Sequence, residues 1–312
     1  MMSKKNRQKN NGNGLVWVFG IIMVAFIAFI LIPNGSSNSI TFPDLHGVDY
    51  SGDGTQLFVA VHDGIREYSD GAWSKTDAAK HDYMGFTGVK DGFYSSGHPA
   101  PGSDYENPFG IVKSTDGGKT FELLDLYQEV DFHAMTAGFE TNEIYVFNPE
   151  PNSKMDETGL YYTTDETKTW NKSEYKGLDG QATAFAAHPT EPGVIAVGTT
   201  IGVYISNDYG NNFELLLPDV QVSAVTFDFN NGILVSGTGN NASLQRVNLD
   251  SKEATELSIP LLEDDTITYV RQNPTNEKEI VFATSAKDFY LSEDNGSTWT
   301  KIVDQGDAIE VK

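Results

Sequence analysis

Ser114-Thr115-Asp116-Gly117-Gly118-Lys119-Thr120-Phe121 returns near the C-terminus as Ser292-Glu293-Asp294-Asn295-Gly296-Ser297-Thr298-Trp299. Both follow one template: hydroxyl, any residue, Asp, any residue, Gly, any residue, Thr, aromatic. Thr163 to Trp170 keeps it with Thr167 in the Gly place, and Ser206 to Phe213 keeps it with Asn212 in the Thr place. Ser69-Asp70-Gly71-Ala72-Trp73 is a shortened copy, and Asp250 sits in a nearly erased one. The six aspartates, Asp70, Asp116, Asp165, Asp208, Asp250 and Asp294, are 42 to 49 residues apart. A period in that range marks an array of similar supersecondary units.

The rest of each unit reads as strand. Two short β-rich runs precede an aspartate, as in Leu57 to Val61 with Ile65 to Tyr68, Ile144 to Phe147 with Leu160 to Tyr162, Val194 to Val197 with Val203 to Ile205, and Ile280 to Ala283 with Phe289 to Leu291. Turn residues such as Asp63-Gly64 and Asn230-Asn231-Gly232 separate the runs. A further strand opens each unit near His46, Tyr83, His133, Ala182, Val222 and Ile267, and a fourth follows the aspartate, as at Phe121 to Leu124. Four strands per unit of about 45 residues predict an all-β chain folded as a six-bladed β-propeller, with seven blades as the alternative.

In these residues the chain resembles the Asp-box (BNR) repeat propellers, a group that includes sialidases, xyloglucan-cleaving glycosidases, sortilin-type receptors and photosystem assembly factors. The resemblance runs from roughly Phe42 to Val303. The strings Leu45-His46-Gly47-Val48, His62-Asp63-Gly64-Ile65, Asp82-Tyr83-Met84-Gly85-Phe86, Ser96-Gly97-His98-Pro99 and Asp131-Phe132-His133-Ala134 are similar to a bacterial exported branch often labelled glycosyl hydrolase. One fold hosts many activities, so the resemblance alone names no reaction. The box aspartates are expected to be structural. Each sits in the tight hairpin between third and fourth strands, where its carboxylate accepts backbone N–H groups and Gly supplies a positive φ. Boxes on different blades lie far apart, which argues against a shared catalytic role.

The N-terminus reads differently. Lys4, Lys5, Arg7 and Lys9 precede an uncharged apolar run from Leu15 to Ile32, and Pro33-Asn34-Gly35-Ser36-Ser37-Asn38 follows. Eighteen helical residues span roughly 27 Å, enough for a hydrocarbon core. We expect a cytoplasmic basic tail over 1–14, a single-pass anchor over 15–33, a flexible linker over 34–39, the propeller over 40–305, and a tail or closing strand over 306–312. The basic flank keeps the tail inside, so the propeller faces outward from the cell membrane. The alternative is a cleaved signal peptide and a secreted domain.

All four of those basic residues precede the apolar run. The rest of the chain carries 17 basic and 44 acidic side chains, a net charge of −27. Such a surface repels nucleic acid and anionic polymers and attracts cations. Nucleic acid is excluded as a partner, and the membrane is met only through the N-terminal helix. There is no cysteine, so burial alone must hold the exported part together, and about 260 residues suffice for that.

The histidines carry the functional expectation. Alternate strands of a blade run in opposite directions, so the start of strand one and the end of strand two share a face. His46, His81 and His133 precede or begin first strands, and His62 and His98 follow second strands. Five of six histidines thus map to one face of blades one to three, and His188 maps to the other. Long connections at Gly97 to Gly110 and Asn148 to Gly159 lie on the histidine face, where binding residues usually sit. A ligand site is expected at the channel mouth, lined by His46, His62, Asp82, His98, Asp131 and His133. No cofactor is required, although imidazoles with carboxylates suit a divalent ion such as Zn²⁺ or Cu²⁺.

Catalytic sets fail to assemble. Sialidase chemistry needs three arginines converging on a carboxylate, and beyond the N-terminal tail only Arg66, Arg246 and Arg271 occur, none at a first-strand entrance. Other glycosidases need a carboxylate pair at a set separation, and no pair among Asp44, Asp49, Asp63, Asp82 and Asp131 stands out. Gly237-Thr238-Gly239-Asn240-Asn241-Ala242 matches a loose dinucleotide pattern, but no helix follows it. The expected function is a binding or assembly protein that holds a ligand, a metal or an exported protein at the channel mouth on the histidine face, with a small ligand, a carbohydrate or an exported protein as its partner. The alternative is a glycoside hydrolase acting on extracellular or cell-wall polysaccharide.

Overall fold

The second strand of each repeat is largely buried, and this burial dictates the architecture. Leu57–Val61, Ile195–Thr199 and Ile280–Thr284 are buried at every residue. A strand covered on both faces must lie inside a sheet that has another sheet against each side. The computed structural model describes residues 39–239 and 241–310, and in these the chain folds into six antiparallel sheets.

Blade one holds β1 (Leu45–Tyr50), β2 (Leu57–Val61), β3 (Gly64–Ser69) and β4 (Ala72–Lys75). Blade two holds β5 (Asp82–Val89), β6 (Gly92–His98), β7 (Ile111–Ser114) and β8 (Glu122–Asp125). Blade three holds β9 (Met135–Ala137), β10 (Ile144–Asn148), β11 (Gly159–Thr163) and β12 (Asn171–Lys172). Blade four holds β13 (Ala182–Ala187), β14 (Ile195–Thr199), β15 (Gly202–Ser206) and β16 (Glu214–Pro218). Blade five holds β17 (Gln221–Phe227), β18 (Gly232–Thr238), β19 (Ser243–Asn248) and β20 (Ala254–Glu256). Blade six holds β21 (Ile267–Gln272), β22 (Ile280–Thr284), β23 (Phe289–Ser292), β24 (Thr300–Asp304) and a fifth strand, β25 (Asp307–Ala308). Within every sheet, strands pair in sequence order.

The first strands form the inner wall: β1 meets β5, β5 meets β9, and so on round to β21, which meets β1. This is a six-bladed β-propeller. The seam is closed from both ends of the domain. Thr41 bridges Asp307, the Phe42 N–H donates to the Gly306 carbonyl at 2.8 Å, and the Ala308 N–H donates to that of Ile40 at 2.9 Å. The Phe42 ring lies against Trp73 of blade one and Phe289 of blade six, with centroids 4.6 and 5.3 Å away. Trp73 also donates its indole N–H to the Ile302 carbonyl at 3.0 Å.

The repeated octapeptide forms the hairpin between third and fourth strands in four blades. Asp116 Oδ1 accepts the Thr120 N–H at 3.0 Å, and Oδ2 accepts the Thr120 hydroxyl at 2.7 Å. Asp165 with Thr169, Asp208 with Asn212 and Asp294 with Thr298 repeat both bonds. The leading hydroxyl of Ser114, Thr163, Ser206 or Ser292 is buried and accepts the N–H four residues on. That fourth residue has a φ between 69° and 88°, at Gly118, Thr167, Gly210 and Gly296. Two of the six expected aspartates differ. Asp70 (φ 51°) and Gly71 (φ 80°) form a two-residue turn linking paired Ser69 and Ala72, as expected of an Asp-Gly hairpin. Asp250 instead donates its N–H to Asn248 Oδ1 and accepts the Asn231 side-chain amide. Both lack the threonine or asparagine four residues on, so their carboxylates have no such partner.

Residues 1–38, which include the expected anchor at Leu15 to Ile32 and most of the linker, lie outside the described residues. Among the described residues no helix is long and apolar enough to cross a membrane.

Candidate functional site at the channel mouth

Asp82 opens β5 and pairs with His98, the last residue of β6, while Leu45 at the start of β1 pairs with Val61 just before His62. These pairings place the first-strand starts and second-strand ends of adjacent blades on one face. There the imidazoles are bridged by two carboxylates. Asp82 Oδ1 lies 3.1 Å from His46 Nε2, and its Oδ2 lies 2.8 Å from His62 Nδ1. One blade further on, Asp131 Oδ2 lies 3.1 Å from His98 Nε2 and 2.7 Å from His133 Nε2. His98 Nδ1 is in turn 2.6 Å from the Asn107 side-chain oxygen. All six residues singled out in the sequence therefore meet a partner from that set. They form two imidazole–carboxylate–imidazole chains, and of the six only His46 and His133 line the mouth cavity.

One imidazole of each chain faces a cavity of about 620 Å³ at the mouth of the central channel. His46 and His133 line it, as do Phe86, Thr183, Ser223 and Thr268. Most of these positions are β-bulges. The pairing slips between Leu45 and Gly47, Met84 and Thr87, Ala182 and Ala184, Val222 and Ala224, and Ile267 and Tyr269. A bulge inserts one unpaired residue and re-aims its side chain. Here the extra residues supply His46 in blade one and a hydroxyl in each of blades four, five and six. Their hydroxyls bond back to the second strand, as Thr183 does to the Gly198 carbonyl at 3.1 Å. The mouth is thus imidazole on one side and hydroxyl on the other.

Arg271 forms the floor. It lines both the mouth cavity and a smaller one of about 50 Å³ beyond it. Its Nε lies 3.2 Å from Asp49 Oδ2, which also accepts the Gly88 N–H at 3.0 Å. No lysine lines the mouth cavity. The other two arginines are elsewhere: Arg66 is buried against the Thr41 carbonyl and Asp63, and Arg246 pairs with Asp228 at 3.0 Å. No arginine cluster for a carboxylate substrate forms among them.

Burial is the main influence on His46 and holds its pKa below the ordinary imidazole value, against the opposing pull of Asp82 and Asp44. Burial thus favours the neutral imidazole, which can donate from one ring nitrogen and accept or ligate with the other. The two remaining histidines are packing residues. His81 is buried among Tyr83, Tyr105, Phe109 and Phe121 and accepts the Ala100 N–H at 2.8 Å. His188, at the end of β13 on the opposite face, accepts the Glu191 N–H at 3.0 Å and packs on Phe227.

Sequence reasoning missed the hydroxyl half of the rim, Phe86 and Asn107. The signal was a polar residue within an apolar run, as at Thr183 in Ala182-Thr183-Ala184 and Ser223 in Val222-Ser223-Ala224. Strand alternation alone assigns such a residue to a sheet face, and only the slipped register turns it to the channel.

No family model matches the chain, and no curated protein matches it. Solved structures do. A GH74 enzyme of Niastella koreensis superposes with a TM-score of 0.55 at 14% identity, over 84% of this chain and 45% of the enzyme. The extracellular domain of a putative one-component system from B. thetaiotaomicron gives 0.52 at 12% identity, over 86% of this chain and 34% of that one. A protein of unknown function from Bacteroides thetaiotaomicron gives 0.55 at 10% identity, over 84% and 69%. The chain spans less than half the length of the first two. At these identities the likeness is one of fold.

Proposed function

We propose that this chain is an extracytoplasmic Asp-box propeller acting as a binding or assembly protein, which holds a small ligand, a carbohydrate or an exported protein at the histidine-lined mouth of its channel. The observation that carries this reading is the pair of imidazole–carboxylate chains leading from the molecular surface to a cavity of about 620 Å³. A cavity of that size with a few convergent polar groups is the usual form of a ligand site. His46, His62, Asp82, His98, Asp131 and His133 are the binding residues of this reading. The apolar run Leu15 to Ile32 serves as a single-pass anchor in the cell membrane, with the propeller outside. The same fold occurs within the extracellular domain of that one-component system, over 34% of its chain.

The runner-up is a glycoside hydrolase, for which Asp82 and Asp131 are the carboxylates bonded to the rim histidines. Each is flanked by two imidazoles and largely buried, a poor position from which to reach a glycosidic oxygen. Capture of partners from native membranes separates the two readings. We expect the wild-type chain to retain a stable partner that the double variant His98→Ala/His133→Ala loses. Release of sugar from wall or capsule polymer, abolished by Asp131→Asn, would instead establish the hydrolase.

A further inference from the structure

We propose that His46, His62 and Asp82 form a binding site for a divalent transition-metal ion of the zinc class in the wall of the channel mouth. The assignment deepens the reading of the mouth as a binding site and rests on it. Each residue offers a donor atom, and the three lie within 4.8 Å of one another. They come from three different elements: the bulge of β1, the turn after β2 and the first residue of β5. Among the described residues no other such group occurs.

Two buried atoms carry the argument further. His46 Nε2 and Asp82 Oδ1 face each other at 3.1 Å, and neither makes a hydrogen bond to any other group. An imidazole nitrogen and a carboxylate oxygen at that range would normally share an aligned proton, and leaving both unsatisfied carries a desolvation cost. A third partner removes that cost. Two ligands bound to one zinc ion at roughly 2.1 Å lie about 3.4 Å apart in a tetrahedral arrangement, close to the separation observed. The ring centres of His46 and His62 are 6.5 Å apart and inclined by 60°. Two imidazoles sharing one ion hold their centres roughly 5–6 Å apart on the same bond length, so a shift of about 0.5–1.5 Å in the exposed His62 ring closes the site.

The chemistry selects the ion class. Two imidazoles and one carboxylate suit zinc, copper or nickel, whereas calcium and magnesium prefer oxygen alone. Three protein ligands leave a coordination position open, and His46 faces the cavity. Asp44 adds negative charge near His46, and the lone arginine of the cavity is already paired with Asp49. The second chain is built differently: His98 and His133 both approach the same oxygen of Asp131, the pattern of a shared hydrogen-bond acceptor.

The test is titration of the full-length, EDTA-stripped protein with Zn²⁺, followed by calorimetry and by thermal unfolding. We expect one ion per chain, a melting temperature that rises with zinc, and affinity reduced by at least roughly tenfold in His62→Ala and in Asp82→Asn. His98→Ala/His133→Ala should bind zinc as the wild type does, and Ca²⁺ should produce no shift. His62 is two-thirds exposed, so His62→Ala keeps the fold, and its melting point without metal verifies this. Absence of zinc uptake by the wild type, or equal uptake by His62→Ala, overturns the site, as does equal binding of Ca²⁺. A chain that binds no zinc yet captures a partner through His98 and His133 loses the metal and keeps the binding reading. Zinc bound without any partner captured does the reverse.

Discussion

Asp116 shows how one carboxylate fixes a hairpin. It accepts the Ser114 hydroxyl at 3.0 Å as well as both donors of Thr120. These bonds favour the ionised form, the Thr120 N–H most of all, and pull the Asp116 pKa down to about 2. Asp165, Asp208 and Asp294 are lowered for the same reason. A carboxyl group ionises near 3.9 in an unfolded chain. Because the folded values lie lower, the stabilisation is complete above about pH 4 and is lost as pH falls through the folded values. We expect the urea midpoint to drop steeply on acidification from about pH 4.5 toward 2, and to drop less in Asp116→Asn, which starts lower because it forfeits the charge-assisted bonds. Parallel acid limbs for the two proteins would refute this account.

At the scale of elements, the first strands and the seam do the most. The bulges turn His46, Thr183, Ser223 and Thr268 toward the channel while the rest of each strand stays paired. The seam depends on a few apolar side chains. Phe42 is 2% exposed and joins Val48, Val59, Val281, Phe289 and Ile302 in the cluster between blades one and six. Phe42→Ala removes a ring at the point where the chain ends meet. Truncating a buried Phe costs about 3–5 kcal/mol, and we expect a matching fall in the urea unfolding free energy with the secondary structure unchanged. A loss under about 1 kcal/mol would mean that closure relies on the strand pairing of Thr41 and β25 instead.

At the scale of the whole molecule, acidity acts a second time, in a higher window. Burial lowers the pKa of His81 and His188, whereas an unfolded histidine takes up its proton near 6.5. Below that value the unfolded chain binds more protons than the folded one, so stability declines as pH falls. The decline ends once pH reaches the folded values. With EDTA present to keep metal out, the urea midpoint should fall between about pH 7.5 and 5. A midpoint flat across that range would show that these histidines titrate alike in both states. This limb is separate from the carboxylate limb, so the full curve should descend in two steps.

Much of this architecture was legible from the chain. Strand pairs at Leu57 to Val61 and Ile280 to Ala283 stand out because β-branched and aromatic runs alternate with Gly- and Asn-bearing turns, a signal set by local sterics. The hairpins at Asp116, Asp165, Asp208 and Asp294 were equally legible, since all their partners lie within four residues. Asp70 and Asp250 also lie between third and fourth strands, but their shortened and nearly erased copies lack the threonine or asparagine four places on to which the other four carboxylates bond. The face shared by the histidines followed from strand direction, once four strands per blade were granted.

By itself, the sequence determined the repeat, the four strands of each blade and the end of the propeller on which the imidazoles lie, because each of these depends on contacts between near neighbours. Tertiary structure alone decided that Asp82 joins His46 to His62 and that Asp131 joins His98 to His133. Those distances depend on how one blade packs against the next and on a one-residue slip in β1, and no local pattern encodes either.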